Sequence, residues 1–254
     1  MQTSSWFSAR ATAIANHQDT DLSRLEAALG YTFVDRHLLT QALTHRSARG
    51  EEKGRRGEEK GRADNERLEF LGDAILGYVV ARHLFATRPG DGEDMLSLMR
   101  ASVVKGETLA EVAGEVGVAA HLRLGVGERR SGGHKRASIL ADAMEAVIGA
   151  VHQDGGVGPA EQLVLRLLES RLQNLDPESV KDPKTRLQEL LQGSGLALPE
   201  YAVVDTEGSD HSQVFSVCCR VDALGVEFVA KGSSRRGAEK QAAEAVLAEI
   251  EDRV

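Results

Sequence analysis

The apolar residues of this chain recur at helical spacing from residue 22 to residue 175. Positions three and four apart are apolar in this stretch, which places them on one face of a helix. On this basis helices are predicted over residues 22–29, 38–43, 65–76, 93–104, 107–116, 138–150 and 161–175. The pattern therefore predicts an all-α region on the N-terminal side of the chain.

A different period begins after the segment DPESVKDP, residues 176–183. Its two prolines are typical of a break between domains, so residues 176–182 are predicted to form a linker. Beyond it, helical spacing and strict alternation predict a helix, three antiparallel strands and a helix, over residues 185–191, 201–204, 215–221, 227–230 and 235–250. We therefore expect an all-α domain over residues 21–175 and a small α+β domain over residues 183–252.

Composition and cysteine usage suit a soluble protein of a reducing compartment. Hydrophobic residues make up 41% of the sequence and aromatic residues 4%, as in helix-rich globular domains. The only cysteines, Cys218 and Cys219, would point to opposite faces of one strand, so no structural disulfide is expected. No apolar run approaches the roughly 18 residues of a membrane span, and residues 1–20 lack a signal-like core. We expect a cytoplasmic protein with no membrane partner and a disordered N-terminal tail.

The distribution of charge is more informative than its sum. A formal net charge of −8 argues against an RNA partner unless the basic residues cluster. They do cluster, in residues 46–62, 129–136 and 235–240. Residues 50–62 contain GEEKGR twice and not one apolar side chain. Because such a segment cannot bury enough apolar surface to fold, it is expected to be a mobile surface loop.

The candidate chemistry lies in two apolar helices that also carry acids. In NERLEFLGDAIL, Glu66, Glu69 and Asp73 are spaced three and four apart and share one helical face. In SILADAMEAVIGA, Asp142 and Glu145 are three apart. The first run alone is also compatible with an acidic stripe facing solvent. The two runs together favour a divalent-metal site between facing helices, whose oxygen ligands suit Mg²⁺ or Mn²⁺.

These two runs, together with ALTHRS at residues 42–47 and ERRSGG at residues 128–133, resemble the endonuclease domain of bacterial ribonuclease III. The resemblance implies a homodimeric endonuclease of double-stranded RNA that uses Mg²⁺, with Mn²⁺ able to substitute, and no small-molecule cofactor. Residues 50–62 are then an insertion, because the family usually separates the two flanking motifs by only a few residues.

The same resemblance implies roles for single residues. Four carboxylates would hold the divalent ions: Glu69, Asp73, Asp142 and Glu145. Asp73 and Glu145 would be the residues least replaceable in catalysis, whereas Glu66 and Glu93 would belong to the cleft or the dimer interface. His45 is interpreted as a structural, hydrogen-bonding histidine and is not assigned to the site.

The C-terminal segment resembles a double-stranded-RNA-binding domain in DPKTRLQELLQ, GSDHSQVF and GSSRRGAEKQAA. The resemblance implies contacts to the minor groove from Gln188 and His211, and contacts to phosphates from Arg235, Arg236 and Lys240. Residues 182–254 carry 13 acidic but only 8 basic side chains. Binding is therefore expected to rest on a local basic patch.

Together the resemblances imply hydrolysis of duplex RNA to 5′-phosphate and 3′-hydroxyl ends with short 3′ overhangs, in the processing of ribosomal and other structured RNA precursors. Two other functions are compatible with parts of the sequence. A non-catalytic RNA-binding protein would not need the four carboxylates, and a small-nucleotide phosphohydrolase would not need the C-terminal domain.

Overall fold

The computed structural model describes residues 22–50, 64–209 and 213–253. The chain divides into two compact units, Met1–Leu175 and Asp176–Val254, each with its own buried core. The predicted tail, residues 51–62 of the predicted insertion and His211 lie outside the described residues.

The described part of the first unit is built from helices and short 3₁₀ turns. Its helices are α1 (residues 22–29), α2 (Arg36–Ala42), α3 (Glu66–Thr87), α4 (Glu93–Val104), α5 (Gly106–Glu115), α6 (Val126–Arg130), α7 (Ala137–Gly155), α8 (Val157–Leu167) and α9 (Glu169–Gln173). Gly30 follows α1 with a left-handed φ of 58°, which lets the chain leave the helix as predicted.

Helix α7 is the centre of the first unit. It packs against α2, α3, α5 and α8, and it buries residues on most of its circumference. This follows from its sequence, because a helix that is apolar nearly all round has to be surrounded by protein. Any acid on such a helix is held close to its neighbours, which positions Asp142 and Glu145 for the site described below.

The far end of α7 is tied to the loop before α2. The carboxylate of Asp154 accepts hydrogen bonds from the Tyr31 hydroxyl at 2.7 Å and from the backbone amides of Val34 and Asp35, each at 2.8 Å. Burial and the bond to Asp154 raise the pKa of Tyr31 to about 12. These bonds tie the loop before α2 to the C-terminal end of α7, and they do not involve Asp142 or Glu145.

The second unit is a three-stranded antiparallel sheet packed on two helices. Its elements are α10 (Pro177–Val180), α11 (Pro183–Gly193), β1 (Glu200–Glu207), β2 (Val214–Val221), β3 (Val226–Gly232) and α12 (Arg235–Asp252). In the register, Val203 pairs with Val217, and Cys218 pairs with Val229. Leu187 and Leu191 of α11 are buried in one core with residues of β2, β3 and α12. The predicted fold class is confirmed in both units.

Several local predictions need correction. Residues 161–175 do not form one helix, because the chain breaks at the buried Leu168 between α8 and α9. The predicted linker contains the short helix α10, which Asp176 caps through the amides of Glu178 and Ser179. The segment that contains ERRSGG, for which no helix was predicted, contains α6 and a 3₁₀ turn. In the last two cases a residue that can end a helix begins one, Pro177 for α10 and Gly125 for α6, so the pattern alone does not decide between the two.

Two further observations bear on the sequence predictions. Both cysteines are buried and free, so the absence of a disulfide is confirmed. Phe70, one of the apolar residues of NERLEFLGDAIL on α3, is 80% exposed. Of the helices in the described ranges, none combines the length and the apolar character needed to cross a bilayer.

Candidate functional site

Three carboxylates from two helices converge in the first unit. Glu69 lies on α3, and Asp142 and Glu145 lie one turn apart on α7. One oxygen atom of each side chain lies within 4.8 Å of an oxygen of the other two. All three side chains are partly buried. Helical spacing places the acids on one face of each helix, and they form a cluster because α3 and α7 pack together.

Two glycines allow the close approach of these helices. A Cβ atom on Gly72 of α3 would fall on the backbone carbonyl of Glu145. A Cβ atom on Gly149 of α7 would likewise fall on the carbonyl of Leu68. The two backbones are thus nearly in contact beside the carboxylates, and the separation between the helices is set where the acids meet.

We expect Gly72→Ala to lower the free energy of unfolding by about 1–3 kcal/mol, because the backbone of α7 has to move to admit the methyl group. Gly77→Ala is the matched control on the same helix, since nothing lies within 4 Å of its Cβ position. This control should be neutral or stabilising, because alanine is the better helix former. Urea unfolding of both variants measures the difference, and equal stability of the two would contradict the proposed packing constraint.

The cluster carries an excess of negative charge. Burial, followed by the charges of Asp73, Glu69 and Asp142, raises the pKa of Glu145 from its ordinary 4.5 to about 7. Burial and neighbouring acids also raise the pKa of Glu69, and burial raises that of Asp142. Carboxylates in such a group repel one another unless a proton or a cation lies between them. The donor set therefore fits a hard divalent cation.

Asp73 is close to this cluster but is not part of its tightest group. It lies one turn after Glu69 on α3 and is exposed. Its negative charge contributes to the raised pKa of Glu145 and of Glu69. The structure thus brings three of the four predicted ligands together and leaves Asp73 at their edge.

A cleft of about 430 Å³ opens beside the cluster and shares Asp142 with it. Its other lining residues are His45, Arg46, Ser47, Glu66, Glu128, Arg136, Ser138 and Ile139. Two ion pairs form between residues that line it: Arg46 lies 3.4 Å from Glu66, and Arg136 lies 2.9 Å from Glu128. The cleft therefore offers two guanidinium groups next to a site that suits a divalent cation.

Hydrogen bonds between distant parts of the chain position the segments that line the cleft. Thr44 forms a parallel bridge with Arg123, and its carbonyl accepts a hydrogen bond from the Asn65 amide at 2.9 Å. The Ser47 hydroxyl accepts one from the Gly125 amide at 3.0 Å. These contacts bring the segment after α2 to the start of α3 and to the loop before α6. Such contacts join residues far apart in the sequence.

The second unit presents a basic surface at the start of α12. Arg235 and Arg236 are exposed there, and Ser234 caps the helix through the Gly237 amide. The nearly buried Glu239 accepts hydrogen bonds from Arg235 at 2.9 Å and from Lys184 at 2.5 Å. Two acids therefore organise this surface, since Lys240 pairs with Asp182 at 2.6 Å.

Comparison with known proteins identifies both units. A family model described as ribonuclease-III-like matches residues 35–172, and one described as a double-stranded RNA binding motif matches residues 183–250. Ribonuclease 3 from Colwellia psychrerythraea is 50% identical over 91% of this chain and 83% of its own length. Ribonuclease 3 from Alkalilimnicola ehrlichii is 47% identical over 92% of this chain and 98% of its own length. The chain belongs to the ribonuclease III family.

Solved structures agree with this assignment. Two structures of the nuclease domain of ribonuclease III from Campylobacter jejuni are 39% and 37% identical to this chain, each with a TM-score of 0.52. They cover 58% and 61% of this chain, and the chain covers 95% and 97% of theirs. As a ribonuclease III, the chain is an enzyme, an endonuclease of double-stranded RNA.

The remaining predicted residues of this ribonuclease III occupy different places. Glu66 lines the cleft, whereas Glu93 is exposed at the start of α4, where it accepts a hydrogen bond from Ser97 at 2.9 Å. Gln188 is exposed on α11. Sequence reasoning did not assign His45 to the site, although it lines the cleft. The signal that could have found it is its position in ALTHRS, one of the motifs that carry the family resemblance.

Removing the charge of Glu239 is expected to destabilise the second unit at neutral pH. The hydrogen bond from Lys184 lowers the pKa of Glu239. Burial opposes this shift, and the hydrogen bond from Arg235 adds to it. Because the folded-state pKa is lower than the unfolded value of 4.5, the ionised carboxylate stabilises the folded unit above pH 4.5. That stabilisation is lost as the pH falls through the folded-state pKa. Glu239→Gln should thus cost about 1–2 kcal/mol near pH 7 and little in strong acid.

Hydrogen exchange at the amides of α12 and β2 measures this loss, because it reports the second unit separately from the first. The control is Glu244→Gln, an exposed acid on the same helix. If both variants protect these amides equally at neutral pH, Glu239 does not stabilise the unit through its ion pairs.

Proposed function

We propose that this ribonuclease III is a homodimeric, Mg²⁺-dependent enzyme that leaves 5′-phosphate and 3′-hydroxyl ends with short 3′ overhangs. The observation that carries the proposal is the convergence of Glu69, Asp142 and Glu145 beside a cleft with two arginines. Acids that repel one another favour a cation, and arginines favour the phosphates of an RNA strand. Metal and phosphate are thus expected side by side.

Glu69, Asp142 and Glu145 would hold the divalent ion, and Asp73 would join them from the edge of the cluster. Ligands that are all carboxylate oxygens favour Mg²⁺ or Mn²⁺ over zinc. The bound ion would lower the pKa of the attacking water and stabilise the charge that develops on the phosphate and the leaving 3′ oxygen. We propose Asp73 and Glu145 as the residues least replaceable in catalysis.

The protein's own contribution is to position the strand. Arg46 and Arg136 line the cleft that contains Asp142, so an RNA backbone bound there would pass next to the carboxylates. Arginine binds phosphate oxygens through paired hydrogen bonds, which limits the orientation of the strand. Their ion pairs with Glu66 and Glu128 would position these guanidinium groups at the cleft before RNA binds.

The proposed dimer rests on the exposed aromatic residues of α3. Phe70, Tyr78 and Phe85 are 80%, 55% and 77% exposed, and at 100° per residue they lie within about 80° of one another around the helix. Large apolar side chains exposed along one side of a helix favour a protein interface. The Campylobacter jejuni nuclease domain is described as having a region involved in dimer formation. With two sites per dimer, each protomer would cut one strand, and Glu93 would lie at the interface or in the cleft.

We assign the nuclease activity to residues 21–175 and duplex binding to residues 183–252. Gln188 and His211 would contact the minor groove, and Arg235, Arg236 and Lys240 would contact phosphates. The helix N-terminus below the two arginines also favours bound phosphate. Structured RNA precursors, ribosomal RNA included, are the proposed substrates, and we propose a cytoplasmic location, where such RNA is found.

The test is incubation of a long RNA duplex with the protein, with and without magnesium, followed by end analysis of the products. We expect cleavage with magnesium or manganese, and binding without cleavage in calcium, whose looser coordination organises the attacking water poorly. A DNA duplex of the same sequence is the control and should remain intact. Magnesium-independent cleavage, or binding that never leads to cleavage, would overturn the metal-dependent assignment and favour a non-catalytic RNA-binding role.

A further inference from the structure

His45 has a side chain whose position is determined before any ligand arrives. Its backbone amide donates to the carbonyl of Arg123 at 3.0 Å, and its carbonyl accepts from the Ala48 amide at 2.9 Å. Its Nδ1 atom lies 2.8 Å from the hydroxyl of Ser47, and that hydroxyl accepts a hydrogen bond from the amide of Gly125. The ring is therefore held by both neighbouring segments of the cleft.

The hydrogen bonds assign the tautomer of this ring. The backbone amide of Ser47 points at Nδ1 of His45 from 3.3 Å, and an amide can only donate. Nδ1 must therefore be an acceptor, and the Ser47 hydroxyl donates to the same atom. A neutral imidazole with an acceptor at Nδ1 carries its hydrogen on Nε2. His45 thus presents an N–H donor at its far end.

Within the described ranges 22–50, 64–209 and 213–253, both hydrogen bonds of the ring involve Nδ1, so Nε2 makes no hydrogen bond there. The ring is also close enough to Asp142 for an electrostatic interaction. The ring lines the cleft together with Arg46, Arg136 and Asp142. His45 does not belong to the three-carboxylate cluster. A metal ligand or a general base would need a lone pair on Nε2, which the bonds at Nδ1 disfavour. The position suits a donor to an anionic oxygen.

We propose that Nε2 of His45 donates a hydrogen bond to a non-bridging oxygen of an RNA phosphate in the cleft, and that Ser47 is a positioning residue that holds the tautomer. This inference rests on the proposed cleavage of duplex RNA and adds a substrate contact to it. Arg46 and Arg136 supply positive charge near the same backbone, whereas the single N–H of His45 sets the direction of one hydrogen bond. A single N–H donor on a rigid ring would bind one phosphate in one position, and it would therefore set the register of the strand in the cleft.

Two substitutions separate the donor from the structural bond. His45→Asn keeps a polar atom near the place of Nδ1 but has nothing at the place of Nε2. His45→Gln is longer and can bring an amide donor to the place of Nε2. His37→Asn is the control, since His37 is exposed on α2 and is not among the residues that line the cleft. Thermal unfolding of each variant shows whether it is folded.

We expect His45→Asn to weaken duplex binding in calcium by about tenfold and to raise KM in magnesium by a similar factor, with kcat changed much less. His45→Gln should recover most of the loss, and Ser47→Ala should lose less than His45→Asn because the ring can still reach the phosphate. Wild-type binding and KM in His45→Asn would overturn the inference. So would equal losses in His45→Asn and His45→Gln, or a fall in kcat with KM unchanged.

A modified substrate identifies the acceptor. A neutral methylphosphonate is placed singly at each position flanking the cleavage site, and binding is measured for wild type and for His45→Asn. At one position the modification should weaken wild-type binding and have no further effect on the variant, which is the mark of a shared contact. Additive losses at every position would overturn the phosphate assignment. Failure of wild-type protein to bind or cut duplex RNA would instead refute the proposed function itself.

Discussion

Glutamine in place of Glu145 is expected to lower magnesium-dependent cleavage about a thousandfold or more while leaving duplex binding nearly unchanged. The amide keeps the shape of the side chain but removes the charged ligand at the centre of the carboxylate cluster. The loss corresponds to the several kcal/mol that a bound metal ion supplies to phosphoryl chemistry. A band-shift assay in calcium and a cleavage gel in magnesium measure the two effects on one duplex.

The same substitution is expected to stabilise the metal-free protein at high pH. The folded-state pKa of Glu145 is about 7, against an ordinary value of 4.5, so the folded state binds the extra proton between these values. The free energy of unfolding therefore falls as the pH rises from 4.5 through about 7. Glutamine does not titrate, so the variant does not lose stability over this pH range. In EDTA the melting temperatures should agree near about pH 4, and the variant should melt higher near about pH 8.

Magnesium should reverse this order, because a ligand that binds only the folded state stabilises it and the variant binds the ion poorly. Glu107→Gln is the control, an exposed acid on α5 that pairs with Lys105. It should change neither cleavage nor the dependence of melting on pH and magnesium. Undiminished cleavage by Glu145→Gln would overturn the catalytic assignment. An unchanged melting profile would mean that the cluster is not electrostatically strained.

Removal of Asp176–Val254 is expected to leave a folded dimer that cuts duplex RNA at low salt and fails at physiological salt. The first unit keeps its core, the carboxylates and the cleft, since all of them lie before residue 176. The phosphate contacts proposed for Arg235, Arg236 and Lys240 would be lost. Fewer contacts mean weaker binding at any salt concentration, so the affinity falls below the working protein concentration first in the truncated enzyme.

The slope of binding against salt tests this explanation. Each lost phosphate contact should make the plot of log affinity against log salt shallower by about 0.9. The full chain with Arg235→Gln, Arg236→Gln and Lys240→Gln together is the matched control, because it removes the charges and keeps the unit. Both proteins should bind with similar slopes between about 50 and 200 mM salt. Equal cleavage by the truncated and full-length enzymes at the higher salt would rule out a role for this surface.

Much of the local structure follows from the sequence because it depends on neighbouring residues. Helical spacing predicts α3 and α7 and places Glu69, Asp142 and Glu145 on polar stripes of apolar helices. Alternation predicts the three strands of the second unit, and it places Cys218 and Cys219 on opposite faces, where they remain unpaired. Boundaries were less predictable, because the break at Leu168 has no glycine or proline to mark it and Pro177 begins a helix inside the predicted linker.

The site itself depends on where the helices cross. Periodicity gives Asp73 the same helical face as Glu69, but the approach of α3 to α7 at Gly72 and Gly149 decides which acids meet. Asp73 lies beyond that contact and remains exposed. Phe70 is also exposed, because one side of α3 is left without a partner within the described part of the unit.

The sequence alone determined the helices, the strands, the acidic faces and, through its motifs, the family. Only the tertiary structure decided that His45 lines the cleft, since the contacts that place it there join Thr44 to Arg123 and Ser47 to Gly125. It likewise decided that Glu239 holds Lys184 and Arg235. The physical reason is that spacing along the chain is set by the sterics of adjacent residues, whereas contacts between distant residues depend on how whole helices pack.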